Sequence, residues 1–182
     1  MYCSHYITSF GPGSVYATDV GVTQVVIPNV SAPTDNECVQ LQEYETSDLT
    51  VCAASMLQRY FKGERIEFND VPVDLGALTE FRCSVLAATR NLMYGEVCSY
   101  GQLARLCGSP RAARAIGGAL AVNPVPVIIP CHRVAGADGR LTGFSAPGGE
   151  NTKMALLKME GVEFKGVLVV TNQLVMNSNS RQ

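Results

Sequence analysis

The sequence predicts an α/β (α+β) protein: a small N-terminal sheet carrying one helix, followed by a mainly helical domain with helix-turn-helix character. Three observations carry that expectation. Short β-prone runs fill the chain up to Pro28, apolar residues recur at helical spacing from Leu49 to Phe61, and two short helix signatures flank a turn at Gly108. With 182 residues, 47% hydrophobic and 16% charged, the chain has room for a sizeable core. The expected division is 1–75, then 76–166, then a tail of unassigned role at 167–182.

Taken in order, Ser4 to Phe10, Ser14 to Thr18 and Val22 to Pro28 read as a meander broken at Gly11-Pro12-Gly13 and Asp19-Val20-Gly21. Asn29 to Glu37 reads as a polar loop. Leu49, Cys52, Ala53, Met56, Leu57, Tyr60 and Phe61 mark one face of a helix that begins at Ser47, with Lys62 in its last turn and Gly63 as its stop. Phe68 to Leu78 has no clear period and reads as a linker. Thr79 then caps a helix with Phe81, Val85, Leu86, Thr89 and Leu92 on one face.

Ser99 and Gln102 have the spacing of a reciprocal capping box, which starts a helix over Tyr100 to Leu106. After Gly108, Ser109-Pro110 supplies a cap and a first-turn proline for a helix from Pro110 to about Val122. Two short helices around such a turn make a helix-turn-helix candidate. The second helix is dominated by tiny side chains, and Gly117 and Gly118 each cost ~1 kcal/mol of helix propensity relative to alanine. Close approach of the backbone to another surface would offset that cost, the surface being either a neighbouring helix or the narrow minor groove of DNA. Arg111 and Arg114, three apart on one helical face, favour a phosphate-lined partner.

Charge points the same way. Residues 1–99 carry 5 Lys+Arg and 12 Asp+Glu, whereas residues 100–182 carry 9 and 4. Gly101 to Ala137 holds Arg105, Arg111, Arg114 and Arg133 with no acid, so the second half has the footprint of a phosphate-binding surface. No apolar run approaches the ~18 residues of a membrane span, and the start lacks the features of a signal peptide, so a cytoplasmic protein is expected, or a nuclear one from a eukaryotic source. Seven cysteines with no CxxC fit reduced thiols rather than a disulfide framework.

The chemistry-bearing stretch is Val127-Ile128-Ile129-Pro130-Cys131-His132-Arg133-Val134, which places a cysteine beside one of two histidines after a stiff apolar run, with prolines at 124, 126 and 130. A thiolate is the reactive form of cysteine, and an adjacent imidazole with a cation such as Arg133 would favour it. The residues alone leave open that Cys131 is one more buried cysteine.

Several segments together resemble a known family. They are Tyr100-Gly101-Gln102-Leu103-Ala104, Ala112-Ala113-Arg114-Ala115-Ile116-Gly117-Gly118-Ala119, Asn123-Pro124-Val125-Pro126, Ile129-Pro130-Cys131-His132-Arg133-Val134 and Leu157-Lys158-Met159-Glu160-Gly161. In this order and spacing they closely resemble the O6-alkylguanine-DNA alkyltransferases, most strongly from Thr79 to Gly161; the segment Arg59 to Gly63 and the hairpin before Pro28 resemble that family's N-terminal domain.

The resemblance implies a ribonuclease H-like N-terminal unit, a winged helix-turn-helix-like DNA-binding unit, and direct reversal of damage. Cys131 would accept an alkyl group from O6 of guanine, and also from O4 of thymine, in a single-use reaction. His132 would act through a bound water as the base, Glu160 on the last helix would orient the imidazole, and Asn123 would brace the cysteine loop. The target base must leave the stack. Arg114 would fill the gap, Tyr100 would hydrogen-bond the flipped base, and Val134, Ser145 and Phe144 would line its site. Phe144 stands where a tyrosine is more usual. Arg111, Ala113, Ala115, Gly117, Gly118 and Arg133 are expected on the DNA-facing surface, in the minor groove.

The expected partner is double-stranded DNA carrying O6-alkylguanine, bound by a monomer with no membrane and no cofactor. No metal is expected either: some relatives hold zinc through cysteines and histidines, but here Cys3 and His5 stand without a further histidine. Two rivals are a lesion-binding protein without transfer activity, against which Cys131 stands, and a thiol hydrolase, which leaves the arginine-bearing helix unexplained.

Overall fold

The apolar alternation before Pro28 builds a three-stranded antiparallel sheet in the order β1 (Tyr2–Thr8), β2 (Gly11–Ala17), β3 (Val22–Val26). The computed structural model describes residues 1–30 and 44–170; Cys38, most of the loop expected at Asn29–Glu37 and residues 171–182 lie outside them. Gly11-Pro12-Gly13, expected to separate two strands, instead opens β2. Gly13 pairs with Tyr6, and a Cβ there would come within 2.2 Å of the Tyr6 ring, so the glycine lets that ring lie across the strand.

Helix α1 (Asp48–Tyr60) starts at Ser47, whose hydroxyl accepts from the Thr50 N–H in a reciprocal capping box. Its buried stripe runs through Ala53, Ala54, Leu57 and Tyr60. Cys52, expected on that face, is exposed, because Thr50 and Ala54 take the turn next to the sheet. The segment 68–78 is irregular, as expected, yet pinned. Arg90 donates to the carbonyls of Phe68 and Asn69, each at 2.9 Å, and to that of Val71. Val22 and Val73 form a parallel bridge on the free edge of β3 through Val22 N–H to Pro72 O and Asp74 N–H to Val22 O, both 2.9 Å.

Helix α2 (Glu80–Arg90) buries Val85, Leu86 and Thr89, and Leu92 is buried just beyond it; the Thr89 hydroxyl donates to Val85 O at 2.8 Å. Phe81, expected on the same face, is 40% exposed, because it lies in the first turn, before the core is reached. Strand β4 (Cys98–Ser99) leads into α3 (Tyr100–Leu106), which has the bounds and the Ser99/Gln102 capping box that its sequence predicts. Helix α4 (Ala113–Leu120) is shorter than expected. Ser109 to Ala112 forms a turn closed by Ala112 N–H to Ser109 O at 2.9 Å, so Pro110 and Arg111 belong to the turn. Proline suits the second position of such a turn as well as a first helical turn.

The chain then makes one 3-10 turn (Cys131–Arg133), β5 (Val134–Ala135) parallel to β4, helix α5 (Gly149–Met159), and the hairpin β6 (Phe164–Lys165) and β7 (Leu168–Val169). Residues 168–169, expected in a tail, are thus paired strand, and Val169 is buried with Val97, Ala135, Leu141, Leu157 and Val162. The main core is continuous from Tyr6, Val15 and Val25 through Leu57 and Phe68 to Val85, Leu103, Ile116, Ile129 and Leu156. The two halves therefore share apolar packing, and Val25 N–H also donates to Pro124 O at 2.9 Å, joining β3 to the loop that leads to Cys131.

Ser99→Ala removes the bond that starts α3 and should lower stability by about 1 kcal/mol, or about 2–4 °C in Tm by calorimetry. An unchanged Tm would show that the cap contributes nothing.

Candidate active site

The loop between α4 and the 3-10 turn is stiff for reasons written in its residues. Prolines at 124, 126 and 130 fix three φ angles, and Ile129 N–H closes back on Val125 O at 2.9 Å. Val127, buried at the bend, has φ 72°, a left-handed conformation that costs a β-branched residue of the order of 1–3 kcal/mol. Asn123 holds the loop in place: its Nδ2 donates to Ile129 O at 2.8 Å and to Cys131 Sγ at 3.1 Å, and its Oδ1 accepts from Val125 N–H at 3.1 Å.

Beyond the sulfur lies a buried polar cluster. His132 is fully buried, and its Nε2 donates to Glu160 Oε1 at 2.8 Å. Glu160 follows the last residue of α5 rather than lying within it, and accepts on both oxygens. Arg133 donates to it twice, Nε to Oε2 and Nη2 to Oε1, both at 2.9 Å, while Nη1 donates to Leu92 O at 2.6 Å. Gly95 N–H and the Tyr60 hydroxyl complete the set at 3.1 and 2.7 Å. With Nε2–H fixed on the carboxylate, the His132 lone pair is on Nδ1, which has no hydrogen-bond partner among the described residues. No hydrogen bond joins the thiol directly to the imidazole among those residues.

These contacts settle the resting charges. Burial alone would raise the Glu160 carboxyl, but the imidazole and the guanidinium outweigh it and hold the group well below the usual carboxylate range. Burial pushes the His132 imidazole down, against the pull of Glu160, so the ring is neutral at rest. Burial also pushes the Cys131 thiol up, while the Asn123 amide and the charge of Lys153 act to lower it. Arg133 is therefore not the cation beside the sulfur, nor a DNA-facing residue: it is 3% exposed, and its guanidinium is taken up by Glu160 and Leu92. Lys153 takes that place. Its ammonium is buried, donates to Thr142 O at 3.0 Å, lies 5.7 Å from the centre of the Tyr100 ring, and is pushed down to about 8 by burial.

The thiol is within reach of the outside. Cys131 is 8% exposed and lines a cavity of about 360 Å³ with Asn123, Pro124, Pro126, Phe144, Ser145, the outer part of β3 and Ile27 just beyond it. A second cavity, about 370 Å³, shares Ala121, Phe144 and Ser145 with the first and is completed by Tyr100, Ala113, Gly117, Thr142 and Gly143. Tyr100 donates to Thr142 O at 2.8 Å, and the Ser145 hydroxyl to Ala121 O at 2.7 Å. Val134 is buried in β5 and lines neither cavity. Another opening, about 690 Å³, lies against β1 and α1 around Cys3 and His5, away from this chemistry.

On α4, Arg114, Ala115 and Gly118 are exposed; a Cβ on Gly118 would meet nothing within 4 Å, and one on Gly117 would come within 3.8 Å of the Tyr100 ring. Helix–helix packing therefore does not account for the glycine at 118. Arg111 is exposed but lies in the preceding turn, so it does not share a helical face with Arg114.

A family model described as 6-O-methylguanine DNA methyltransferase, DNA binding domain, matches residues 80–162. The methylated-DNA–protein-cysteine methyltransferase of Methanosarcina acetivorans is 44% identical over 109 residues, 60% of this chain and 67% of that protein. A crystal structure of Mycobacterium tuberculosis OGT in complex with DNA has TM-score 0.71 at 35% identity, covering 88% of this chain and 93% of that one. The chain belongs to the methylated-DNA–protein-cysteine methyltransferase family. The M. tuberculosis member is 49% identical over 108 residues, 59% of this chain, and the match spans only 63% of that relative's length. The O6-methylguanine-DNA methyltransferase of Pyrococcus kodakaraensis, 21% identical with TM-score 0.61, shares the fold.

In this family member, sequence reasoning missed Lys153 and Tyr60. For Lys153 a signal exists: Lys153, Leu156, Leu157 and Glu160 fall at i, i+3, i+4 and i+7, which puts Lys153 on the apolar stripe of α5 in line with the carboxylate that follows it. For Tyr60 the sequence holds only an aromatic at a helix end. Between about pH 8 and the ordinary lysine range, the unfolded chain binds the Lys153 proton and the folded chain does not, so stability gains with pH across that window. Lys153→Met should therefore be more stable than the parent near pH 7, by up to about 3 kcal/mol. In denaturant titrations that difference should shrink as pH rises through the window; a pH-independent difference would contradict it.

Proposed function

We propose that this chain repairs alkylated DNA directly, moving a methyl or larger alkyl group from O6 of guanine, and also from O4 of thymine, onto Cys131. The observation that carries the reading is a thiol on the wall of an open cavity, next to a neutral imidazole whose other nitrogen is locked onto a buried carboxylate. In the reaction the Cys131 proton passes through a water to His132 Nδ1, Sγ bonds to the alkyl carbon, and the carbon–O6 bond breaks. Its electrons return to the guanine, which recovers a proton. Asn123 and Lys153 stabilise the thiolate as it forms, so the thiol reacts although it rests neutral. A thioether has no ready hydrolytic exit, so each molecule reacts once and needs no cofactor.

The lesion lies inside a duplex and must be flipped out to reach the sulfur. The exposed small-residue face of α4, with Arg114, fits against the minor groove, where Arg114 replaces the extruded base. Arg111 meets phosphate from the turn. The base enters the cavity lined by Tyr100, Ala113, Gly117, Phe144 and Ser145, and the adjoining cavity beside Cys131 leaves room for a larger alkyl group. Binding by one copy should be largely sequence-independent and salt-sensitive.

After mixing with O6-methylguanine DNA, the intact mass should rise by one methyl group, located on Cys131 by peptide mapping, and Cys131→Ala should bind the DNA without gaining mass. A label on Cys98 or Cys107 would remove the mechanism.

A further inference from the structure

The reactive centre contains a hydroxyl from the N-terminal unit. Tyr60, the last residue of α1, donates to Glu160 Oε1 at 2.7 Å, and its oxygen lies 3.4 Å from His132 Nε2. We propose that Tyr60 is a positioning residue for alkyl transfer, holding Glu160 in the rotamer that orients His132, so that the N-terminal sheet and helix are part of the working centre. This rests on the alkyl-transfer reading above.

The geometry of the carboxylate carries the argument. Oε1 receives three donors, from Tyr60, His132 Nε2 and Arg133 Nη2, at 2.7, 2.8 and 2.9 Å. Oε2 receives Arg133 Nε and Gly95 N–H. Arg133 grips both oxygens and would by itself turn the carboxylate toward the guanidinium plane, since a bidentate charged pair is the strongest contact in the set. The phenol is the shortest of the five contacts and comes from the other half of the chain, so it opposes that rotation. Its ring cannot swing away: edge contacts to Phe61, Phe68 and Tyr94, with centroids 5.4, 6.0 and 6.2 Å away, cage it. Arg133 lies 5.8 Å from the centre of that same Tyr94 ring, so one aromatic cluster sets both partners of the carboxylate. Burial, then the charge of Glu160, hold the phenol well above its usual range, so it remains a donor at every working pH.

A purely structural role for the hydroxyl would change stability and nothing else. Tyr60→Phe keeps the ring and its cage, and is expected to lower the transfer rate at saturating DNA by about tenfold with the DNA Kd unchanged, because the base is misaligned while the DNA face is untouched. It should also move the NMR resonance of the His132 Nε2 proton, which shares Oε1 with the phenol. Val15→Ala removes buried apolar surface from β2 without touching the cage or any donor, and should lower Tm with both readouts unmoved. Incorporating 3-fluorotyrosine at position 60 changes donor strength alone, which keeps the test decisive if Tyr60→Phe folds poorly. An unmoved imidazole resonance with rate within about twofold of the parent overturns the positioning role. Absence of transfer by the parent protein would instead sink the functional reading.

Discussion

A single buried carboxylate organises this molecule. Removing the Glu160 charge from water is costly, and the fold tolerates it because five hydrogen bonds and a guanidinium surround it. Those donors arrive from separate parts of the chain: the end of α1, the turn after α2, and the 3-10 turn that carries Cys131. Each element must stop where it does for its donor to reach. The helix ends are thus set by an electrostatic requirement as well as by local caps, and the continuous core that joins the two halves keeps them in register.

The same cluster sets the acid–base state of the site. A carboxylate held ionised and an imidazole kept neutral leave one lone pair, on Nδ1, one residue from the thiol. Burial keeps the thiol protonated at rest, yet Asn123 and Lys153 both favour the thiolate. In the proposed reaction the sulfur becomes nucleophilic as its proton passes to His132 Nδ1. The strained Val127 bend and the three prolines hold that sulfur still, which keeps the entropic cost of attack small.

Much of this was legible in the residues. The capping box at Ser99 and Gln102 gave α3 with its observed bounds, because a local reciprocal bond decides them. The meander, α1 and the stiffness of the proline loop before Cys131 were likewise written in short-range patterns, whereas the bracing by Asn123 came from the family resemblance. The places of Arg133, Lys153 and Tyr60 were not. Arg133 reads as one of four arginines in an acid-free stretch, and nothing local reveals that its partner stands twenty-seven residues further on. Tyr60 looks like an ordinary core aromatic, and the spacing of Lys153 marks the face it occupies but not what it meets there, since long-range pairing is a property of the tertiary fold. The start of α4 was misplaced because Ser109-Pro110 serves a turn as readily as a helix cap, and composition cannot choose between them.

The most direct test of the carboxylate's control is the tautomer of His132 in the unreacted protein. Nitrogen-15 chemical shifts of its ring, recorded at neutral pH, should show a protonated Nε2 and an unprotonated, acceptor Nδ1. A proton on Nδ1, or an imidazolium carrying both, would mean that Glu160 does not set the base and would contradict the mechanism built on it.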